Sequence, residues 1–324
     1  MCTALILETQ DKNVLFGRNL DWVYNLEQSP VLVPRNFRWY NKVSSEWFSN
    51  PYAILGIGDI LDKQPLLLDG INEEGLACAA LYFPGYAKFN DKKEANKTNI
   101  APLDITYWVL SKFQTVEQVA YALNNVNIVR FPEYGDLHWI VADKSGKSIV
   151  IEKTDKGLNV YDNDIRVLTN SPSFDWQTTN LNQYIPITPI QPSDVYWSEQ
   201  KLSPVGKGLG TLGMPGDYSP PSRFIRAAFA KTNMPVPENE IIGISEFYHI
   251  LNNVAVVNGS VVTRENLKET TLYSSCMNLQ KCIYYYNTYY NNRINAINLL
   301  SCDLNSSSIQ KFELLTTLDI NHQN

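Results

Sequence analysis

Four strand-length runs, HWIVAD, SIVIEK, LNVYDN and IRVLTN, follow one another between residues 138 and 170, separated by short polar or glycine-containing turns. Connections that short predict an antiparallel meander. Elsewhere the chain alternates strand and helix signals. Thr3 to Leu7 and Val14 to Arg18 read as a hairpin turning at Asp11, Lys12 and Asn13. The turn Asn72 to Gly75 leads into LACAALYF, whose lack of clean alternation predicts a strand covered on both faces. Pro102 suits a helix start before LDITYWVLSKF, and Thr115 with Gln118 has capping-box spacing ahead of VEQVAYALNNV. SRFIRAAFAK and SEFYHILNNVAV read as helices, CIYYYNTYY and RINAINLL as strands, and residues 171–221, rich in Pro, Gly, Ser and Asn, as an excursion of loops. Strands and helices in that order, with no repeat or low-complexity linker, predict one α+β domain over residues 1–324 with helices covering sheet faces.

Composition narrows the partners. The chain has 44% hydrophobic and 19% charged residues and no apolar run near the ~20 residues of a membrane-spanning helix, so a soluble protein that does not enter the membrane is expected. A net charge of −6 without a dense Lys/Arg run argues against nucleic acid and for a small-molecule partner. Glu8 interrupts the first apolar run, which is too short for a secretory signal, so a cytoplasmic location is expected. Five cysteines without CxxC spacing read as reduced thiols.

Three motif readings fail on context. GLGTLG at residues 208–213 has dinucleotide-loop spacing, but KLSPVGK before it is a poor strand and the prolines after it forbid an immediate helix. Cys276 and Cys282 have no second Cys/His pair nearby and so predict no metal site. A Cys/His hydrolase would need His138 or His249 as base, yet one heads a strand and the other lies in an amphipathic helix, where structural roles are commoner.

Cys2 offers a base of its own. Trimming the initiator methionine from in front of so small a residue would leave sulfur and a free α-amino group on one residue. Unperturbed α-amino groups and thiols, with pKa values of about 7.7 to 8.0 and about 8.5, exchange a proton almost evenly near neutral pH. FGRNLDW adds Arg18 and Asp21, opposite charges among apolar residues. On a straight strand the two would face opposite ways, so a shared site requires the strand to end or bulge between them. Taken alone, the two read better as a surface ion pair at a strand end.

MCTALILET, FGRNLDW, INEEGL, LHWIVAD, VLTNSPSFDWQTTNLNQY, GMPGDYSPPSRFIRAAF and the Tyr-rich C-terminal run occur in an order and spacing that resemble the choloylglycine hydrolase family of conjugated bile acid hydrolases and penicillin V acylases. The resemblance covers essentially the whole chain. It implies an N-terminal-nucleophile hydrolase fold, a four-layer αββα sandwich of two antiparallel sheets. It also implies Cys2 as nucleophile beside Arg18 and Asp21, Asn170 as oxyanion-hole donor, Arg223 as a second active-site arginine, and no metal or organic cofactor. Tyr82 falls where bile salt hydrolases generally carry asparagine and the acylases tyrosine. With Trp22 it suits an aromatic acyl group, so penicillin V acylase activity is the expectation and bile salt deconjugation the alternative. A non-enzymatic binding protein on the same fold would be expected to lack at least one of these site residues. Relatives are commonly homotetramers, and residues 182–205 resemble a segment they use in assembly.

Overall fold

The computed structural model describes residues 1–131 and 135–324. Two antiparallel sheets dominate it. The first has seven strands: Val167–Leu168, Cys2–Glu8, Val14–Trp22, Lys268–Asn278, Ile283–Thr288 and Asn295–Asn298 in that order, with Val261–Val262 beside Lys268–Asn278. The second has eight, running from Gly157–Asp162 through Ser148–Thr154, Leu137–Ala142, Ala77–Tyr82, Gln64–Asn72, Ile54–Leu61 and Ser29–Val33 to Gln310–Lys311.

The doubly covered strand expected at LACAALYF shows how the layers arise. Side chains alternate along a strand, so Ala77, Ala79 and Leu81 enter the core shared with the first sheet, while Cys78 and Ala80 enter the core beneath the helices Asp104–Lys112 and Val116–Leu123. On the other side, Phe224, Ala227 and Ala228 of helix Pro220–Asn233 and Phe247 and Leu251 of helix Glu240–Asn253 cover the first sheet. The layer order is helix, sheet, sheet, helix. No helix among the described residues is long and apolar enough to cross a membrane.

Three departures from the sequence reading shape the site. The strand from Val14 continues unbroken past Arg18 to Trp22, and the bulge lies in its neighbour instead: Leu20 pairs Tyr273 while Asp21 pairs Thr271, leaving Leu272 as the extra residue. Gly17 permits the close approach of these two strands, because a Cβ there would lie 2.0 Å from the Ser275 carbonyl oxygen. Secondly, the meander keeps its first three strands but not its fourth. Val167–Leu168 crosses to the other sheet and pairs with Cys2–Glu8, Ala4 opposite Leu168, which delivers Asn170 to the end of the strand that begins at Cys2. Thirdly, residues 171–221 are not all loop. They hold the helix Phe174–Asn180, a 3₁₀ turn Leu181–Tyr184 and a hairpin of Val195–Trp197 with Gln200–Leu202, before the next helix starts at Pro220.

Candidate active site

Cys2, Arg18, Asp21, Asn170 and Arg223 converge where the head of the Cys2 strand meets the C-terminal end of Ala77–Tyr82, an interior strand of the second sheet. All five are buried, the most exposed at 4%. The Arg18 guanidinium donates from Nη2 to Cys2 Sγ, from Nη1 to the Ala80 carbonyl at 2.7 Å and from Nε to its neighbour Asn19 at 3.2 Å. Arg223 donates to the Cys2 carbonyl, to Thr3 Oγ1 at 2.6 Å and to Asn170 Oδ1 at 2.7 Å. Asn170 Oδ1 also accepts the Cys2 main-chain N–H at 2.8 Å. Asp21 takes a 2.5 Å hydrogen bond from Thr271 on Oδ1, whereas its buried Oδ2 has no hydrogen-bond partner among the described residues.

Electrostatics differ sharply between the two arginines. Burial disfavours the charge on both. For Arg18 the surrounding Cys2, Tyr273, Asp69 and Asp21 more than offset it, and its pKa is raised; for Arg223 burial prevails over Asp21, Cys2 and Glu269, and its pKa falls. Asp69 lies beneath Arg18, accepting hydrogen bonds from Tyr273 at 2.6 Å and from Tyr284. Burial pushes its carboxyl up, against the pull of Arg18 and of the two tyrosines. The sequence reading missed this acid, although a carboxylate inside the apolar run LLLDGI is the same kind of signal that marked Arg18 and Asp21.

The strand edge at Tyr82 completes the geometry. Phe83 N–H bonds to the Asp136 carbonyl at 2.8 Å, so the main-chain groups of Tyr82 point the opposite way. Pairing on that side ends at Ala79 opposite Asp69. The carbonyls left beyond it are taken by site residues, Ala80 by Arg18 and Tyr82 by Asn170 Nδ2 at 2.7 Å. An amide nitrogen has two hydrogens, and the second of Asn170 has no protein partner among the described residues. The Tyr82 ring meets Trp22 edge-on, with centroids 5.4 Å apart.

Met1 precedes Cys2 in this chain, its ammonium bonded to the Asp21 carbonyl at 2.8 Å and to the Glu269 carboxylate. The Cys2 nitrogen is therefore an amide in this form. His138 does not serve as an alternative base: its Nδ1 faces Glu152 and its Nε2 the Thr169 carbonyl, both at 3.0 Å. Above the sulfur lies a cavity of about 570 Å³ whose lining includes Cys2, Arg18, Asp21, Trp22, Tyr24 and Tyr82, the polar Gln28 and Asp59, and Leu20, Leu26, Leu61, Leu66, Leu68, Leu103 and Leu137.

Two facing antiparallel sheets between helical layers, with a cysteine at the head of a central strand, define an N-terminal-nucleophile hydrolase. Residues 2–312 match the linear amide C–N hydrolases, choloylglycine hydrolase family, and the chain belongs to that family. It is 47% identical over 329 residues, the full length of both proteins, to a bile salt hydrolase/transferase of Clostridium perfringens (strain 13 / Type A). The crystal structure of the C2A mutant of conjugated bile acid hydrolase from Clostridium perfringens superposes with a TM-score of 0.95 at 46% identity, covering 100% of both chains. A penicillin V acylase from Pectobacterium atrosepticum is 27% identical over 242 residues, 71% of this chain and 58% of that protein. The protein is accordingly an enzyme, a hydrolase of linear amide C–N bonds.

Proposed function

We propose that this hydrolase deconjugates bile salts, releasing glycine or taurine, by a mechanism that starts with loss of Met1. The observation that carries the substrate is the cavity over Cys2, in whose lining leucine is the commonest residue, with seven of them. A rigid steroid nucleus would bury those side chains, at about 25 cal/mol per Å² of apolar surface removed from water. The names carried by the 47% relative and by the structure that superposes at 0.95 support the same choice. This reverses the order expected from Tyr82: the ring stands against Trp22, and leucine is the commonest residue in the rest of the lining. The Trp22–Tyr82 pair is what favours penicillin V as a second substrate.

With Met1 removed, the Cys2 nitrogen becomes an amine, and the unpartnered Asp21 Oδ2 is the candidate to hold it once it is charged. The amine accepts the thiol proton, Arg18 favours the thiolate, and sulfur attacks the amide carbonyl. The second N–H of Asn170 and the main-chain N–H of Tyr82 stabilise the oxyanion. Arg223 holds Asn170 and the Cys2 carbonyl in place. The ammonium protonates the leaving amine, and water then hydrolyses the thioester. The test is amine release by reduced, Met-free protein from glycocholate, taurocholate and penicillin V at matched concentrations. Higher kcat/KM on the bile conjugates is expected; faster turnover of penicillin V would restore the aromatic-pocket reading, and undiminished turnover by Cys2→Ala would remove the nucleophile.

A further inference from the structure

His138 and Glu152 are both fully buried, and neither has a part in the chemistry just described. A carbonyl only accepts, so the 3.0 Å contact with Thr169 requires a proton on His138 Nε2. Nδ1 stands 3.0 Å from Glu152 Oε1, and two lone pairs would repel at that distance, so a second proton lies between them. The same carboxylate accepts the main-chain N–H of Phe174 on both oxygens, at 3.0 and 3.2 Å. The pair therefore grips the chain at Thr169 and at Phe174, and the segment between these anchors carries Asn170. The imidazole also stacks on Phe83, with centroids 4.2 Å apart and planes 6° from parallel. Phe83 follows Tyr82, whose carbonyl holds Asn170 Nδ2. One buried pair thus touches the supports of both oxyanion donors.

We propose that His138 and Glu152 are positioning residues for Asn170, fixing the amide that meets the oxyanion by holding the Thr169 carbonyl and the Phe174 N–H. The proposal rests on Asn170 being the oxyanion donor assigned above. Burying a polar pair is seldom favourable for stability by itself, but an oxyanion donor acts only within a few tenths of an ångström of its place. A misplacement of about 1 Å can cost about 100-fold in rate. Because the contact is made only in the transition state, the loss should fall on kcat and leave KM unchanged.

The experiment uses Met-free protein with glycocholate as probe. Glu152→Gln keeps both contacts, its amide nitrogen donating to Nδ1 and its oxygen accepting from Phe174, and should retain kcat within about threefold. Adding His138→Phe keeps the ring on Phe83 and leaves no unpaired charge, while removing both the Thr169 bond and the bond to the side chain at position 152; kcat should then fall about 10- to 100-fold, with KM within about twofold. In an Asn170→Ala background the same change should cost less than about twofold. The proposal is overturned if the double variant works at the Glu152→Gln rate, if Glu152→Gln is itself as slow as the double variant, or if the loss is the same in both backgrounds. Glu152→Leu, read the same way, replaces the double variant should that fail to fold. An undiminished kcat for Asn170→Ala alone would instead refute the oxyanion assignment.

Discussion

Among the five cysteines, Cys2 differs from its counterparts by what stands beside it. Burial pushes the thiols of Cys78, Cys276 and Cys282 up, the last to about 11, and so keeps them protonated. Cys2 instead faces a guanidinium whose own charge is secured by Asp69 and Asp21 behind it. Arg18→Leu separates two contributions of that contact. Turnover should fall about 10- to 100-fold, since a hydrogen bond to a charged group contributes about 1.5–3 kcal/mol. Stability should fall by about 1–3 kcal/mol, because the Ala80 carbonyl loses its donor. Carbamidomethylation of Cys2 by iodoacetamide, followed by mass spectrometry, reads the thiolate without any substrate and should slow in proportion to turnover. Unchanged alkylation in the folded variant would leave Arg18 with a purely structural role.

At the scale of elements, Arg223 is placed by the start of its helix. Asp217 accepts the Ser219 N–H at 2.8 Å and the Ser222 hydroxyl at 2.6 Å, and the helix begins at Pro220 between them. Hydrogen bonds from Ser219 and Ser222 hold the Asp217 carboxyl down at about 2. A carboxylate lowered on folding from the ordinary ~3.9 stabilises at higher pH, and that contribution is lost as pH falls from about 4 to about 2. Asp217 is largely exposed, so water weakens the effect. Asp217→Ala should cost about 0.5 kcal/mol at pH 7 by urea unfolding; a deficit that persists below about pH 2 would show that the charge is not its source. This helix was legible in the sequence through the helical pattern of SRFIRAAFAK, although it begins two residues earlier, at Pro220. Lys268–Asn278 was not, although it is the central partner of Val14–Trp22. Its KETTLYSSCMN lacks alternation, because Ser274, Ser275 and Asn278 are buried polar residues whose partners, Asn19, Arg18 and Asn13, come from the neighbouring hairpin. Val167–Leu168 followed a meander pattern that local spacing could not break; only pairing with Cys2–Glu8 takes it to the other sheet. Cys2, Arg18 and Asp21 stood out as a thiol and two charges in apolar surroundings. Asn170 and Arg223 became visible through family resemblance alone, since an asparagine at a strand end and an arginine at a helix start are unremarkable by type.

At the scale of the whole molecule, residues 182–212 form an arm that the two-sheet core does not cover. Gln191 braces it, accepting from Gly208 N at 2.9 Å and Leu209 N at 3.2 Å and donating to the Gly206 carbonyl at 2.7 Å. The arm is thus held in shape while its apolar side chains face outward: Trp197 is 74% exposed, Ile185 78% and Leu212 77%. Apolar surface concentrated on one braced element marks a contact with another molecule rather than a solvated loop. We propose that it joins copies of this chain into the homotetramer that the family resemblance implies. Light scattering after size exclusion should then give about four times the chain mass of 36.9 kDa. Trp197→Asp with Ile185→Asp should lower the mass without unfolding the core, since neither side chain belongs to either large hydrophobic cluster. Activity per chain decides whether assembly matters to the site. No residue of the arm lines the Cys2 cavity, so a dissociated variant should keep the kcat of the assembled enzyme; a monomeric wild-type protein would instead leave the exposed arm for a different partner.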